Sequence, residues 1–509
     1  MQHPVLVAGA TGYVGGRLVP HLLAQGYRVR AFTRSEGKVR SRPWGRHENL
    51  EIALGDMHDL ESVRKAVDGC NIVYYLVHSM EDSHPDFSDA DRRAAYTMVR
   101  ALKHGRVKRL IYLSGLLPDD PHISLHLRSR GEVAEILSLS ETPLTTLRAA
   151  QLIGAGSASF EMIRWLVDHL PVMPAPKWTH VRTQPISMAD TLGYLAGVLE
   201  HPETAGQTYD IGGPDIVSYE DLFAIYAEAA GLRKRLLIPV PFLSLGLSAK
   251  VIGLITPIPG ALARPLIEGM RNEVVCSENR IRNIIPLQLT PVRVALERAL
   301  GRVRSQSVQS SWSDAGAPVV PEWVVRGDAR YAGAAVYNDA YLIRLAAEPE
   351  EVWQPIVHIG GATGWYSKNA LWRLRGLMDR MMGGPGTQRG RRSNEQLYVG
   401  DGLDFWRVLD VQPQKRLLLL TEMRLPGEGL LSLRINPAGA PTGVDGPATD
   451  LLIALYFKPR GLPGLAYWYA VSPFHRFVFM AMLRAIADRI GKPVLKGPAR
   501  ISIPATEPV

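Results

Sequence analysis

The sequence predicts an α/β protein: a doubly wound parallel sheet with a small helical lid, followed by a second unit of α+β type. Three observations carry this. Short β-branched runs alternate with helix-periodic stretches from Val5 to about Gly213, as in a parallel sheet covered by helices on both faces. A glycine-spaced string, Gly9-Ala10-Thr11-Gly12-Tyr13-Val14-Gly15, follows the first of these runs and opens a helix. Past a polar, proline-bearing stretch the order changes to strand, helix, several strands and one long helix.

At 509 residues the chain is too long for one hydrophobic core, and with 46% hydrophobic and 21% charged residues it can fill more than one. Candidate strands lie at residues 5–8, 29–33, 50–54, 72–76, 110–114 and 145–148, and helical periodicity at 17–25, 60–67 and 91–104. The unbroken run Ile72-Val73-Tyr74-Tyr75-Leu76-Val77 suits a strand buried on both faces. Beyond Gly213 come an amphipathic helix at 218–230, a proline-broken apolar segment at 236–267 and a helix near 291–300. These read as a lid at 216–304 that completes a first unit spanning 1–304. Residues 305–321 are rich in Ser, Gln, Gly, Ala and Pro, and 305–328 reads as a linker. The second unit, 329–509, carries strands at 340–346, 404–411, 416–423, 430–435 and 451–457, and a helix with an acidic first turn at 349–359. A long helix follows from about Pro473 to Ile490, with Phe474, Phe477, Val478, Ala481, Met482 and Ala485 on one apolar face.

The net charge of +9 favours anionic partners, but Lys and Arg form no long run, and nucleic acid is not expected among the partners. Two cysteines, Cys70 and Cys276, argue against a disulfide framework or a Cys-based zinc site, and no HExxH-like spacing occurs, so no metal is predicted. No basic stretch and apolar run of a signal peptide opens the chain, which makes a cytoplasmic location the expectation. Pro239, Pro241, Pro257 and Pro259 argue against a spanning helix at 236–267, leaving substrate-domain core or a peripheral membrane contact.

The glycine string is the clearest site signal. Gly9 permits a tight turn, Gly12 lets the backbone approach a pyrophosphate, and Gly15 allows close helix–strand packing. The helix start beyond it, with Thr11, Tyr13 and Val14 in the loop, supplies N–H donors and the positive end of a dipole. This is the loop of a Rossmann domain that binds a nicotinamide dinucleotide. The second strand ends Ala31-Phe32-Thr33-Arg34-Ser35, with no carboxylate to hold a ribose 2′-hydroxyl before Glu36. Arg34, assisted by Lys38 or Arg40, is placed to pair with a 2′-phosphate, so NADP(H) is favoured over NAD(H). Asp56, after the third strand, either accepts from the adenine amine or is a plain turn residue.

These features resemble the extended and atypical short-chain dehydrogenase/reductase superfamily, in particular the NmrA-like regulator group and the nucleotide-binding accessory subunit of respiratory complex I. The resemblance covers roughly residues 1–300 and rests on Gly9 to Gly15, Gly55-Asp56, Tyr75-Leu76-Val77-His78, Tyr112-Leu113-Ser114-Gly115 and the run from Leu147 to Gly154. It implies that Leu76, Val77, His78 and Ser114 lie beside the cofactor. The family's catalytic Tyr-x-x-x-Lys is missing, since residues 116–150 contain neither Tyr nor Lys. At the matching place His126 and Arg130 keep the spacing of four that puts two side chains on one helix face. His126 is thus the candidate proton donor and Arg130 the ribose-holding cation, or the dyad is lost. Ser114 reads as a ligand more than as a catalyst.

The second unit resembles the helix-grip fold of START-like domains in its order of elements, over about 329–495. Gly364-Trp365-Tyr366, Trp372, Phe405-Trp406 and Tyr467-Trp468-Tyr469 concentrate aromatics that suit either a lipophilic cavity or an ordinary core. Arg373, Arg375, Arg380, Arg389, Arg391 and Arg392 surround Gly383-Gly384-Pro385-Gly386, an anionic-surface patch or a solvated loop. His475, read as lying at a helix start where a cation is disfavoured, is not taken as catalytic. Two functions follow: an NADP(H)-dependent oxidoreductase on a lipophilic carbonyl or quinone, or a non-catalytic NADP(H)-binding sensor or assembly protein.

Overall fold

Alternation along the first two hundred residues places neighbouring side chains on opposite faces of a sheet. Val5 and Val7 join one core cluster with Leu18, Leu22 and Leu195, while Leu6 and Ala8 join another with Val63, Met98 and Val133. The sheet is built from β1 (Val5–Ala8), β2 (Val29–Thr33), β3 (Leu50–Leu54), β4 (Ile72–Tyr75), β5 (Arg109–Gly115), β6 (Leu144–Ala149) and β7 (Thr208–Ile211). All neighbours are parallel, in the order β7-β6-β5-β4-β1-β2-β3. Winding reverses between β1 and β4, the point at which such sheets receive ligands at their carboxyl ends. The connections are helical: α1 (Gly15–Ala24), α2 (Glu36–Arg40), α3 (Leu60–Val67), α4 (Phe87–Leu102) and α5 (Leu125–Ser138). Ser35, Asp59 and Ser124 cap α2, α3 and α5 by accepting from backbone N–H groups of the first turn.

The computed structural model describes residues 3–78, 87–103, 105–118, 123–240, 260–314, 321, 323, 336–387, 389–439 and 446–503. The chain divides into two units, Met1–Gly316 and Ala317–Val509. In the first, α6 (Ala158–His169), α7 (Met188–Glu200), α8 (Tyr219–Ala230), α9 (Gly260–Gly269) and α10 (Val292–Arg304) follow β6. Phe160, Ile163, Leu222, Tyr226, Leu296 and Leu300 from α6, α8 and α10 form their common core. Of the apolar segment at 236–267, residues 241–259 with Pro241, Pro257 and Pro259 lie outside the described residues. No helix among the described residues is long and apolar enough to cross a membrane.

The division falls within the stretch read as a linker, yet the first part of that stretch is fixed. Ser310 is buried, accepts from Arg17 Nε at 2.8 Å and donates to the Tyr13 carbonyl at 2.6 Å. Asp314 is buried too, with its carbonyl accepting from Lys38 Nζ at 2.5 Å and its carboxylate paired with Arg42 at 3.2 Å. Residues 305–314 thus strap the first unit beside its glycine string.

The second unit is an antiparallel sheet of β8 (Tyr337–Leu345), β9 (Gly402–Leu403), β10 (Trp406–Gln412), β11 (Arg416–Thr421), β12 (Gly427–Ala438), β13 (Ala448–Pro459) and β14 (Val494–Ile501). Their order is β9-β10-β11-β12-β13-β8-β14. Helices α11 (Pro349–Val357), α12 (Asn369–Met381) and α13 (Gly461–Ile490) accompany it, and Phe479, Met482 and Ile486 of α13 enter the sheet's core with Tyr341, Ile343 and Ile453.

Two expectations need correction here. Pro473 does not start the long helix but lies inside α13, so His475 is mid-helix, buried, with Nδ1 2.9 Å from Asp339 Oδ2. The arginine group is not a single patch: Arg373, Arg375 and Arg380 ride on α12, whereas Arg389 pairs with Glu422, Arg392 with Asp401, and Arg391 donates to the Ile359 carbonyl at 2.9 Å.

Candidate functional site

The loop between β1 and α1 is shaped by its glycines in two different ways. Gly9 has φ of +89°, and a Cβ there would stand 2.7 Å from the Leu76 carbonyl oxygen. At Gly15 a Cβ would stand 2.1 Å from the Gly9 oxygen. Both positions are closed by the protein itself. Gly12 differs, because its nearest neighbour would be the Gly9 oxygen at 3.4 Å, an ordinary contact. Nothing inside the fold demands glycine there, as expected where room is kept for an outside group. Helix α1 has no side-chain cap and no acidic residue in its first turn; its Gly16 and Arg17 N–H groups donate to the Gly12 and Val14 carbonyls at 2.8 and 3.0 Å, and the Tyr13, Val14 and Gly15 N–H groups ahead of them are the ones left to meet an anion. A diphosphate fits this arrangement.

Around the loop, Tyr13 turns away from the opening: Arg17 lies over its ring at 4.6 Å, and burial pushes its hydroxyl up to about 12. Val14 packs against the core under β1, and Thr11 is half-buried in the loop. At the end of β2, Arg34 is exposed and faces Asp56 at 4.0 Å. The expected helpers are engaged elsewhere, since Lys38 is buried against the Asp314 carbonyl and Arg40 pairs with Glu36 at 3.2 Å. Burial alone would raise the Asp56 carboxyl, but the His58 N–H at 2.8 Å and His58 Nδ1 at 2.9 Å hold it below the usual range.

Leu76, Val77 and His78 leave β4 beside the loop, the Leu76 N–H donating to the Ala8 carbonyl at 2.9 Å. His78 meets His126 of α5, with ring centroids 5.2 Å apart. Ser114 and Tyr112 anchor that helix by donating to the Arg130 carbonyl at 3.4 and 3.3 Å. Arg130 reaches back to the Leu113 carbonyl at 3.5 Å. His78, His126, Arg130 and Ser114 are thereby gathered at the carboxyl ends of β4 and β5. The sequence reading missed Asp91, whose Oδ2 takes His78 Nδ1 at 2.9 Å and Ser129 Oγ at 3.2 Å. Asp91 shares a face of α4 with the buried Ala94, Ala95 and Met98, and a carboxylate on that apolar stripe was the available signal.

The electrostatics of the cluster are set by burial. Burial first, then the Arg130 charge, hold His78 below its ordinary value against the pull of Asp91. Burial, His78 and Arg130 push His126 well below. His78 Nε2 and His126 Nδ1 are both buried without a hydrogen-bond partner. Folded values below the unfolded one mean that folding favours the neutral rings, a contribution present above about pH 6.5. It is lost as pH falls through the folded values. We therefore expect the thermal midpoint of the first unit to drop between pH 7.5 and 5, and His126→Gln to flatten that slope; parallel slopes would show that this pair does not titrate on unfolding.

Residues 9–156 match the NAD(P)H-binding family model. The first unit is an NAD(P)H-binding Rossmann domain. Residues 331–482 match the model of a family described as a protein of unknown function (DUF2867). The chain is 27% identical over 232 residues to NADH dehydrogenase (ubiquinone) 1 alpha subcomplex subunit 9, mitochondrial, of Arabidopsis thaliana, over 43% of this chain and 56% of that protein. To the Dictyostelium discoideum subunit of the same name it is 25% identical over 239 residues, 46% of this chain and 66% of that one. The chain thus spans less than two thirds of the length of these curated relatives. Among solved structures, it is similar to Citrobacter sp. triphenylmethane reductase complexed with NADP(H), at 19% identity and a TM-score of 0.47 over 58% of this chain and 99% of that one.

Proposed function

We propose that the chain is an NADP(H)-dependent oxidoreductase acting on a lipophilic carbonyl or quinone. The observation that carries this reading is the half-buried group of His78, His126 and Arg130 at the strand ends beside the glycine string. A bound dinucleotide supplies the hydride. The chain's own task is to hold the substrate oxygen and deliver a proton to it. Asp91 accepts from His78 Nδ1–H and so leaves Nε2 of that ring as an acceptor. His126, uncharged, can relay a proton to the oxygen, giving up its N–H as its other ring nitrogen takes a proton from solvent, and Arg130 beside it offsets negative charge growing on the oxygen. This division of labour stands in for the absent Tyr-x-x-x-Lys. The names of the two curated relatives include ubiquinone, which supports a quinone among the substrates.

Preference for NADP(H) rests on Arg34, an exposed guanidinium at the end of β2 where an NAD-specific domain would hold a carboxylate. Arg34→Ala is expected to weaken NADPH binding about tenfold and leave NADH binding unchanged, the size of one charge-assisted bond to a phosphate. Fluorescence titration of both nucleotides reads this, and equal losses for both would remove the 2′-phosphate from the argument. Turnover is tested by NADPH oxidation over a panel of quinones and ketones, with His126→Ala as the control. Stoichiometric NADPH binding with no turnover on any of them would favour the sensor reading instead, which the missing tyrosine supports.

A further inference from the structure

The second unit holds a cavity of about 210 Å³ between its sheet and helices α12 and α13. Leu455, Phe457, Trp468 and Phe479 give it apolar walls. Three of its lining residues nevertheless keep a buried donor nitrogen with no partner: Trp372 Nε1, Trp406 Nε1 and Arg375 Nη1. Trp372 and Arg375 stand three apart on α12 and share a face. Trp406 approaches from β10, and Trp365 contacts both indoles, its ring centre lying 5.2 Å from that of Trp372 and 6.0 Å from that of Trp406. Arg375 makes no ion pair among the described residues.

A buried donor left without an acceptor costs about 1–3 kcal/mol, and more when it is charged. Three of them on one apolar cavity therefore mark the place of an acceptor that arrives from outside. A guanidinium in apolar surroundings is best answered by a carboxylate, whose two oxygens match its fork. The size is also informative, since a dry apolar cavity of about 150 Å³ already takes up benzene. Here there is room for a ring or short acyl chain with an acid at its end. His475 lines the same cavity and is held by Asp339, whose other carboxylate oxygen accepts from Arg500.

We infer that the second unit binds a small apolar carboxylic acid, its carboxylate taken by Arg375 with the indole N–H groups of Trp372 and Trp406. The inference does not rest on the dinucleotide reading of the first unit. Calorimetric titration of the full chain with 4-phenylbutyrate, its methyl ester and 4-phenylbutanol tests it. The acid should bind about tenfold tighter than the ester or the alcohol, the worth of a charge-assisted bond. Arg375→Met should bring the acid down to the affinity of the ester and leave the ester unchanged, and Arg375→Lys should restore part of the difference. Trp406→Phe, which keeps an aromatic ring, should reduce the acid-over-ester ratio several-fold, and it decides the matter if Arg375→Met does not fold. Equal binding of acid and ester, no binding of any of the three, or a ratio unchanged in these variants would overturn the inference.

Discussion

Gly15→Ala is expected to cost the full chain about 3 kcal/mol, at the upper end of what overpacking a rigid site costs. The added methyl would meet the Gly9 carbonyl oxygen at 2.1 Å and its carbon at 2.9 Å, and both are backbone atoms at the exit of a central strand that cannot swing aside. Gly12→Ala should behave in the opposite way. Its methyl has only an ordinary contact at 3.4 Å, so the thermal midpoint should move little, by the equivalent of about 0.5 kcal/mol or less. NADPH affinity, however, should fall about tenfold or more, because the methyl takes the room the backbone leaves for a diphosphate. Paired melting curves and fluorescence titrations separate the two effects. An unchanged NADPH affinity in Gly12→Ala would sink the assignment of this loop.

Asp404→Asn is expected to stabilise the second unit above neutrality. Burial raises the Asp404 carboxyl from 3.8 to about 6, against the opposing pull of Trp365, the Gly361 N–H and Arg391. A carboxyl whose folded value exceeds its unfolded one stabilises in acid, and that contribution is lost as pH rises through about 6. The charged form then burdens the fold by an amount on the order of 3 kcal/mol. Asparagine keeps an oxygen for Trp365 Nε1, now at 2.9 Å, and for the Gly361 N–H at 3.2 Å. It also tolerates the positive φ of 53° at this position better than most residues. The gain should be roughly 1–2 kcal/mol at pH 8, after discounting the attraction of the Arg391 charge, and near zero at pH 4. Denaturant midpoints at the two pH values measure it; a variant less stable at pH 8 would mean that the carboxylate is worth more to its neighbours than its burial costs.

What could be read from the sequence was local. Glycine spacing, the alternation of β-branched runs with helical periods, and the place where Arg34 and His78 leave their strands all follow from neighbours in the chain. What escaped depends on partners far away. β7 has four residues at the sheet's edge, and its parallel pairing with β6 is invisible in its own composition. β14, with Gly497 and Pro498 in its middle, looks like a loop until it meets β8. Pro473 was read as a helix start because proline favours that place, yet α13 begins twelve residues earlier and carries it inside. The polar residues overlooked share one trait. Asp91 on α4 and Asp339 on β8 occupy apolar faces, Asp339 in register with Tyr341, Ile343 and Leu345. A carboxylate at an inward position is a cost that folding accepts only with a partner.

The strap at 305–314 makes the connection between the units part of the nucleotide pocket's foundations. Arg17 and Ser310, 293 positions apart, share two hydrogen bonds directly behind the turn that carries Tyr13. Severing the chain just after Arg304 would therefore weaken cofactor retention without altering a single residue that faces it, and a fragment carried on to Gly316 would not suffer this loss. Splicing a different partner onto the dinucleotide domain is consequently tolerated only beyond that point, and so residues 305–314 constrain which architectures this domain can be recombined into.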